Sequence, residues 1–229
     1  MRQFDFVKGE VILIDKPYDW TSFDVVNKIR CLIKYHLGIK KIKMGHAGTL
    51  DPLATGLLIL CSGSFTKKID EFQAKEKEYM GTFTLGATRP SSDMETEIDK
   101  TFETHGIREE DIMNAAKSFI GDIKQIPPLF SAKKIGGERA YEFARKGIDM
   151  QMEAKDVTIT EFEITRINLP DVSFRVVCSK GTYIRSLARD FGEKLNNGAY
   201  LSQLRRIRIG EFNLDQAYSM ERIEELITR

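Results

Sequence analysis

The chain is short of the residues that staple, anchor or metallate a protein. It has three cysteines, Cys31, Cys61 and Cys178, far apart and without a CxxC pair. That odd count supports neither a disulfide framework nor a zinc site and suits a reducing compartment. Three histidines, His36, His46 and His105, form no HExxH and no other metal spacing. No hydrophobic run approaches the length of a transmembrane helix. The start, MRQFDFVKGEVILIDKP, has a short apolar stretch broken by Asp15, which is not a signal peptide. The glycine-rich stretch at 45–56 lacks the GK[ST] ending of a phosphate loop, and GxGxxG and GxSxG are missing. These absences predict a cytoplasmic protein that needs no cofactor and no metal and has no membrane partner.

What is present is ordinary in bulk and uneven in detail. At 229 residues, 41% hydrophobic and 30% charged, the chain can bury a sizeable core. The net charge of +1 hides two basic segments and an acidic one. Residues 27–43 carry six Lys or Arg and no acid, and residues 175–208 carry eight against Asp190 and Glu193. Residues 93–111 carry eight acids against Lys100 and Arg108. Such polarisation suits a positive face for a polyanion, although a helix at 27–43 with one solvated face reads equally well.

Periodicity predicts a strand at 10–15, a helix at 23–36 capped by Thr21 or Ser22, and strands at 57–61 and 78–86. A polar loop at 87–100, an amphipathic helix at 107–120 and a short helix at 138–146 follow. Strands at 156–168 and 172–178, a helix from about 181 to 195, a strand at 204–212 and a helix at 220–227 complete the reading. Without a regular βαβ alternation or an internal repeat, this is an α/β chain of the α+β type with a mixed, largely antiparallel central sheet and flanking helices. One domain over 1–229, with an insertion at about 87–150, is the simplest count.

One stretch stands apart. GHAGTLDPLATGLL, residues 45–58, holds a lone acid, Asp51, and a lone imidazole, His46, among small and apolar residues. Asp51-Pro52 favours a turn, and the apolar run after it reads as a buried strand, so the acid sits on a tight loop entering the core. A structural turn would account for that. A carboxylate can also serve as a covalent nucleophile, with an arginine to hold it ionised and aimed. Tyr79, Tyr183 and the arginines are the other chemically useful groups.

The stretch resembles the catalytic motif of the TruB family, the tRNA pseudouridine-55 synthases, in which the Asp is essential. Asp15-Lys16-Pro17 with Thr21-Ser22, Lys77-Glu78-Tyr79, Gln125-Ile126-Pro127-Pro128 with Ser131-Ala132, Arg139-Ala140-Tyr141 through Ala144-Arg145, Ser179 to Leu187, and Leu204-Arg205-Arg206 agree with the family in the same order. Ala47 and Thr49 swap the expected Thr and Ala at unchanged size. The resemblance runs from about residue 9 to 212 and implies a pseudouridine-synthase fold. It implies that Asp51 acts as nucleophile or base at the ribose of the target uridine and that Arg185 pairs with it. It makes Tyr79 the ring that stacks on the uracil and His46 a support for the flipped-out RNA loop. Tyr183 and Leu204 line the pocket, and Lys16, Lys77 and Arg145 contact substrate. The implied partner is the T-arm of tRNA, bound by a monomer that requires no protein partner. About seventeen residues follow Phe212, so no separate carboxy-terminal RNA-binding domain is expected. A non-catalytic RNA-binding protein on the same scaffold would keep the basic face but would not need Asp51. A catalytic subunit of a guide-RNA-directed complex would be expected to carry docking extensions.

Overall fold

A computed structural model describes residues 4–130, 150 and 152–228, together with the backbone of residues 134–135 and 138–139. In chain order the elements are β1 (Val11–Lys16), α1 (Ser22–His36), β2 (Met44–His46), β3 (Thr55–Ser62), α2 (Ile69–Ala74) and β4 (Lys77–Leu85). Next come β5 (Ala87–Thr88), β6 (Lys100–Thr101), α3 (Glu109–Lys117), β7 (Gly121–Gln125), β8 (Lys134–Ile135) and β9 (Glu138–Arg139). The chain then forms β10 (Lys155–Asn168), β11 (Asp171–Cys178), α4 (Ile184–Lys194), β12 (Ala199–Ile209), β13 (Phe212–Asn213) and α5 (Met220–Thr228). It divides into two compact units, residues 1–79 with 204–229, and residues 80–203. The crossings fall inside β4 and β12, so each of those strands contributes to both units.

In the first unit the strand order is β1-β3-β12. Strand β1 runs antiparallel to β3, from Val11 opposite Cys61 to Lys16 opposite Gly56. The side chains of β3 from Leu57 to Cys61 are all buried because both faces of the strand are covered. Leu58 and Leu60 join Ile12 and Ile14 under α1 and α5, against Val25, Ile29, Ile33 and Ile223. Leu57, Ile59 and Cys61 point the other way, onto Phe72 and Ile209. Helix α1 starts where its chemistry says it should: Thr21 accepts from the Asp24 backbone N–H, and the Asp24 carboxylate returns the bond to Thr21 N–H.

In the second unit the order is β12-β4-β11-β10-β7. A phenylalanine cluster fills its interior. Phe83 stacks on Phe174 with centroids 4.1 Å apart, and Phe162 meets both rings edge-on. Phe191, from α4, closes the group against Phe83 at 5.3 Å. The ladders of β1 with β3, β2 with β3, β10 with β11 and β10 with β7 are antiparallel, and that of β12 with β3 is parallel. The mixed, mainly antiparallel sheet expected from the irregular element order is therefore the one observed.

Several boundaries moved for physical reasons. The strand expected at 204–212 begins at Ala199 and stops at Ile209, because Gly210 at φ +53° turns the chain back so that Ile209 faces Phe212. The polar loop at 87–100 contains the start of a small hairpin, with Ala87 opposite Thr101. Strand β7, GDIKQ, lacks apolar alternation and was invisible to periodicity; it exists through its ladder with β10, Gly121 opposite Ile159 to Gln125 opposite Lys155. Of the helix expected at 138–146, Glu138 and Arg139 instead pair in a short hairpin, and residues 140–146 lie outside the described residues.

Gly56 sets how closely β12 approaches β3. Its φ is +100°, and a Cβ there would stand 2.3 Å from the Arg206 carbonyl oxygen. Both the conformation and the collision are specific to glycine's missing side chain. Gly56→Ala is expected to cost about 2–4 kcal/mol in urea unfolding; a loss under about 0.5 kcal/mol would show that the two strands separate freely there.

Candidate active site

Asp51 lies on the connection from β2 to β3, and the sheet dictates the shape of that connection. The edge of β3 away from β1 is shared. Its last residues pair with β2, Met44 opposite Ser62 and His46 opposite Leu60. Its first residues pair in parallel with β12, Arg205 opposite Thr55 and Arg206 opposite Gly56. The connecting loop must therefore double back along one strand edge. Gly48, at φ +103°, permits the turn, and the Ala54 N–H closes a second one on the Asp51 carbonyl at 3.1 Å.

Three buried side chains hold this loop by its main chain. The Ser22 hydroxyl, at the first residue of α1, accepts from the Leu50 N–H at 2.8 Å and donates to the Leu50 carbonyl at 3.1 Å. Arg206 donates from Nε to the Leu57 carbonyl at 2.8 Å and from Nη2 to the Gly48 carbonyl at 3.0 Å. Lys16 donates from Nζ to the carbonyls of Pro17 at 2.9 Å, Trp20 at 2.5 Å and Pro52 at 3.1 Å. An ammonium has three N–H donors, and three carbonyls take them. Lys16 and Arg206 are 0% and 1% exposed, so both cations sit inside the fold beside the loop.

Burial pushes the Lys16 ammonium down to about 8; the negative charge of Asp51 opposes that fall and the Arg206 guanidinium adds to it. Burial, with Arg206 next, also lowers His46, while a hydrogen bond to the Gly48 backbone works the other way. The imidazole is accordingly neutral at pH 7, and its buried Nδ1 has no hydrogen-bond partner. Past the middle of β12, Arg205 reaches Asp15 at 2.6 Å and the Thr55 hydroxyl at 3.2 Å. Tyr79, on β4, is 8% exposed. Lys77 is buried and donates to the carbonyls of Gln73 and Lys75, so its ammonium is used inside the fold.

The second unit holds the other expected residues. Gln125 accepts from the Tyr183 N–H at 2.7 Å, which fixes the entry to α4. Arg185, on the first turn of α4, is buried, with Nε 3.5 Å from Asp93 Oδ2 and Nη1 3.4 Å from the Ser91 carbonyl. Asp93 is itself buried on a turn tied to β12 by the Leu201 N–H, which donates to the Ser92 carbonyl at 2.9 Å. The first unit thus gathers Asp51, Lys16 and His46 on and around one loop and also holds Tyr79, Lys77 and Leu204. The second gathers Tyr183 and Arg185, and Arg145 lies outside the described residues. Among the described residues no group of His, Cys, Asp or Glu is arranged to hold a metal ion.

Comparison with known proteins bears on this arrangement. The model of the TruB family pseudouridylate synthase N-terminal domain matches residues 34–184. That of the tRNA pseudouridylate synthase B C-terminal domain matches residues 185–229. The chain belongs to the TruB family of pseudouridylate synthases. A protein of Flavobacterium johnsoniae named tRNA pseudouridine synthase B is 55% identical over 222 residues, covering 96% of this chain and 97% of that one. Its namesake in Phocaeicola vulgatus is 56% identical over 221 residues, covering 96% and 94%. A chain in the crystal structure of a Cbf5-Nop10-Gar1 complex superposes with a TM-score of 0.71 at 28% identity. The match covers 96% of this chain and 54% of that one, so this TruB-family chain spans about half the length of its structural neighbour.

Three residues that shape the site were given no role by the TruB-family motifs. Ser22 appeared as a cap and beside Thr21 in the first motif, and Arg206 as part of Leu-Arg-Arg. Asp93 was hidden in the acidic segment 93–111. Alternation along Leu204–Ile209 gave no signal for the burial of Arg206, since it shares a face with Arg208 while Ile207 and Ile209 lie on the face of Arg205.

The depressed Lys16 has a consequence for stability. The unfolded chain holds that proton up to about 10.5, the fold only to about 8. Between those values the unfolded chain binds more protons, so the lysine's contribution to stability rises with pH there. Against Lys16→Met, the wild type is expected to gain up to about 3 kcal/mol from pH 7 to 10.5 in urea unfolding. A difference that stays flat, or falls, would show that the ammonium carries no burial penalty.

Proposed function

We propose that this chain converts uridine to pseudouridine in the T-loop of tRNA, at position 55, with Asp51 as the reacting carboxylate. The observation that carries the reading is the loop itself. Its main chain is fastened at Gly48, Leu50 and Pro52, on both sides of Asp51, by Arg206, Ser22 and Lys16. A fold that buries two cations and a hydroxyl to fix one loop gains positional accuracy for what the loop carries. The relatives matched over nearly their whole lengths, named tRNA pseudouridine synthase B, support the substrate class.

The reaction is an isomerisation, and its balance is internal. Asp51 acts at the ribose, either as a nucleophile on C1′ or as a base on a neighbouring proton. The C1′–N1 bond breaks, the uracil turns, and C5 bonds to C1′. The proton leaving C5 is matched by the one that N1 acquires. No atom enters or leaves, so acid–base and nucleophilic side chains suffice. A uridine inside an RNA loop must be extruded before its sugar can be reached, and an extruded base needs a flat support. Tyr79 is assigned that support, and neutral His46 a contact to the opened loop. Family likeness assigns Arg185 to the same reaction, with Asp93 holding its guanidinium.

Asp51→Asn keeps shape and removes charge. We expect pseudouridine formation in a T-arm hairpin to vanish while RNA affinity stays within a few-fold of wild type. Turnover by that variant, with the modified position mapped, would remove Asp51 from the chemistry. A wild type that binds the hairpin without modifying it would favour an RNA-binding role.

Arg185→Lys is not conservative at this position. Its point charge cannot face Asp93 and the Ser91 carbonyl as a planar guanidinium does. A loss of about 2 kcal/mol or more in transition-state stabilisation is expected from single-turnover rates. Near-parental rates would exclude Arg185.

A further inference from the structure

The contact between Asp93 and Arg185 is only as accurate as the turn, residues 89–96, that carries Asp93. That turn, Arg185 and the strand residues that brace them all belong to the second unit. Met94 and Glu95 at the tip face solvent, whereas Ser91, Ser92 and Asp93 are buried. Polar residues buried in a loop need partners close by. The Ser92 N–H donates to the Arg89 carbonyl at 2.8 Å, and Ser92 takes φ +59°, a left-handed conformation that is strained for a residue with a Cβ. The Ser92 carbonyl accepts from the Leu201 N–H of β12. Tyr200, the neighbouring residue of β12, braces the turn from another point. Its ring lies 4.7 Å from the Arg89 guanidinium, whose Nη1 donates to the Thr96 carbonyl. Two consecutive strand residues therefore hold the turn, one directly and one through Arg89.

Inside the turn two hydroxyls close the ring. Ser91 Oγ donates to the Asp93 carbonyl at 3.2 Å and accepts from the Thr96 N–H at 3.3 Å. It stands 2.9 Å from Thr96 Oγ1, which in turn accepts from the Ser91 N–H at 3.1 Å. A hydroxyl has one hydrogen, and Ser91 spends its own on Asp93, so Thr96 is the donor between the two. Asp93 divides its oxygens in the same way. Oδ1 accepts from the Glu95 N–H at 2.9 Å, and Oδ2 faces Arg185 Nε. The Ser91 carbonyl faces Arg185 Nη1. Both groups that meet the guanidinium thus come from residues that the Ser91–Thr96 ring fixes.

We propose that Thr96 and Ser91 are positioning residues for Arg185: their hydroxyl ring sets the direction of the Asp93 carboxylate and of the Ser91 carbonyl, and through them the plane of the guanidinium. Neither residue touches the reacting atoms. A strained, hydroxyl-locked turn carrying one buried acid is a rigid mount, and a planar guanidinium held at two points is sensitive to the angle of that mount. The inference rests on the part in pseudouridine formation proposed above for Arg185.

The test uses the full chain, a T-arm hairpin and single-turnover rates at saturating enzyme. Thr96→Val keeps shape and removes the hydroxyl. It is expected to lower the saturating rate about tenfold while hairpin affinity stays within about twofold, because the loss falls on geometry at the reacting group. Thr96→Ser restores the hydroxyl and should restore the rate to within about twofold of wild type. In an Arg185→Lys background, Thr96→Val should cost less than about twofold more, since residues that act through one another are not additive. A merely structural Thr96 would lower the melting temperature and leave the rate per folded molecule parental, which overturns the inference. A full tenfold loss repeated on top of Arg185→Lys overturns the route through Arg185. Should Thr96→Val fail to fold, Ser91→Ala takes its place in the same measurements, and a parental rate there overturns the inference as well. Those outcomes, with an active wild type, leave the function standing. A wild type that makes no pseudouridine overturns the function and this inference together.

Discussion

Burying an ammonium is among the costlier things a small fold can do, at several kcal/mol after relaxation, and Lys16 is buried completely. The cost is offset because the three donors of Nζ meet three main-chain carbonyls. Two belong to the turn after β1 and the third, Pro52, to the loop carrying Asp51. One charge therefore joins the end of the first strand to the candidate catalytic loop across 36 residues of sequence. An apolar side chain in its place would pack but could satisfy none of those carbonyls. The depressed ammonium is the visible mark of that compromise.

Arg206 does for the front of the loop what Lys16 does for its back, and it does so from the strand that pairs in parallel with β3. That junction runs parallel, and Gly56 is what lets it close. The strand order, the glycine and the guanidinium are parts of one device. Without the close approach at Gly56 the backbone of Arg206 would stand further off, and its side chain would not span from Leu57 to Gly48. Two like charges inside one small region repel, and the Arg206 guanidinium lowers the hold of Lys16 on its proton. The negative charge of Asp51 nearby partly relieves this at Lys16.

Legibility in the sequence followed the origin of each element's stability. Helix α1 was readable because its cap and apolar stripe are local, and β3 because a run of five buried residues leaves little choice. The Asp51 loop was readable because glycine and Asp-Pro chemistry is local too. Strands β2 and β7 were not: MGH and GDIKQ are strands only because β3 and β10 offer ladders. Composition misled in the segment 93–111. Its acids were counted as one block, yet Asp93 is buried against Arg185 while Glu103 and Glu109 are exposed. Charge counted along a segment averages over residues with opposite fates. Lys16 and Lys77 show the same limit, since both were assigned to substrate and both spend their donors on main-chain carbonyls.

The way the loop is held also separates scaffold from chemistry. Gly48, Leu50 and Pro52 are gripped through carbonyl and amide groups, which every residue type possesses. Those grips do not depend on the side chain at position 51. A replacement there that suits a turn keeps the main-chain groups that these hydrogen bonds use, although it removes the charge that partly relieves Lys16. The converse does not hold. Removing Ser22, Lys16 or Arg206 leaves Asp51 chemically intact but frees the backbone that aims it, and an error of about 1 Å in a reacting group can cost about a hundredfold in rate. The fold's least typical burials, a lysine and an arginine beside an apolar strand, thus hold the loop that carries Asp51, the carboxylate proposed to react.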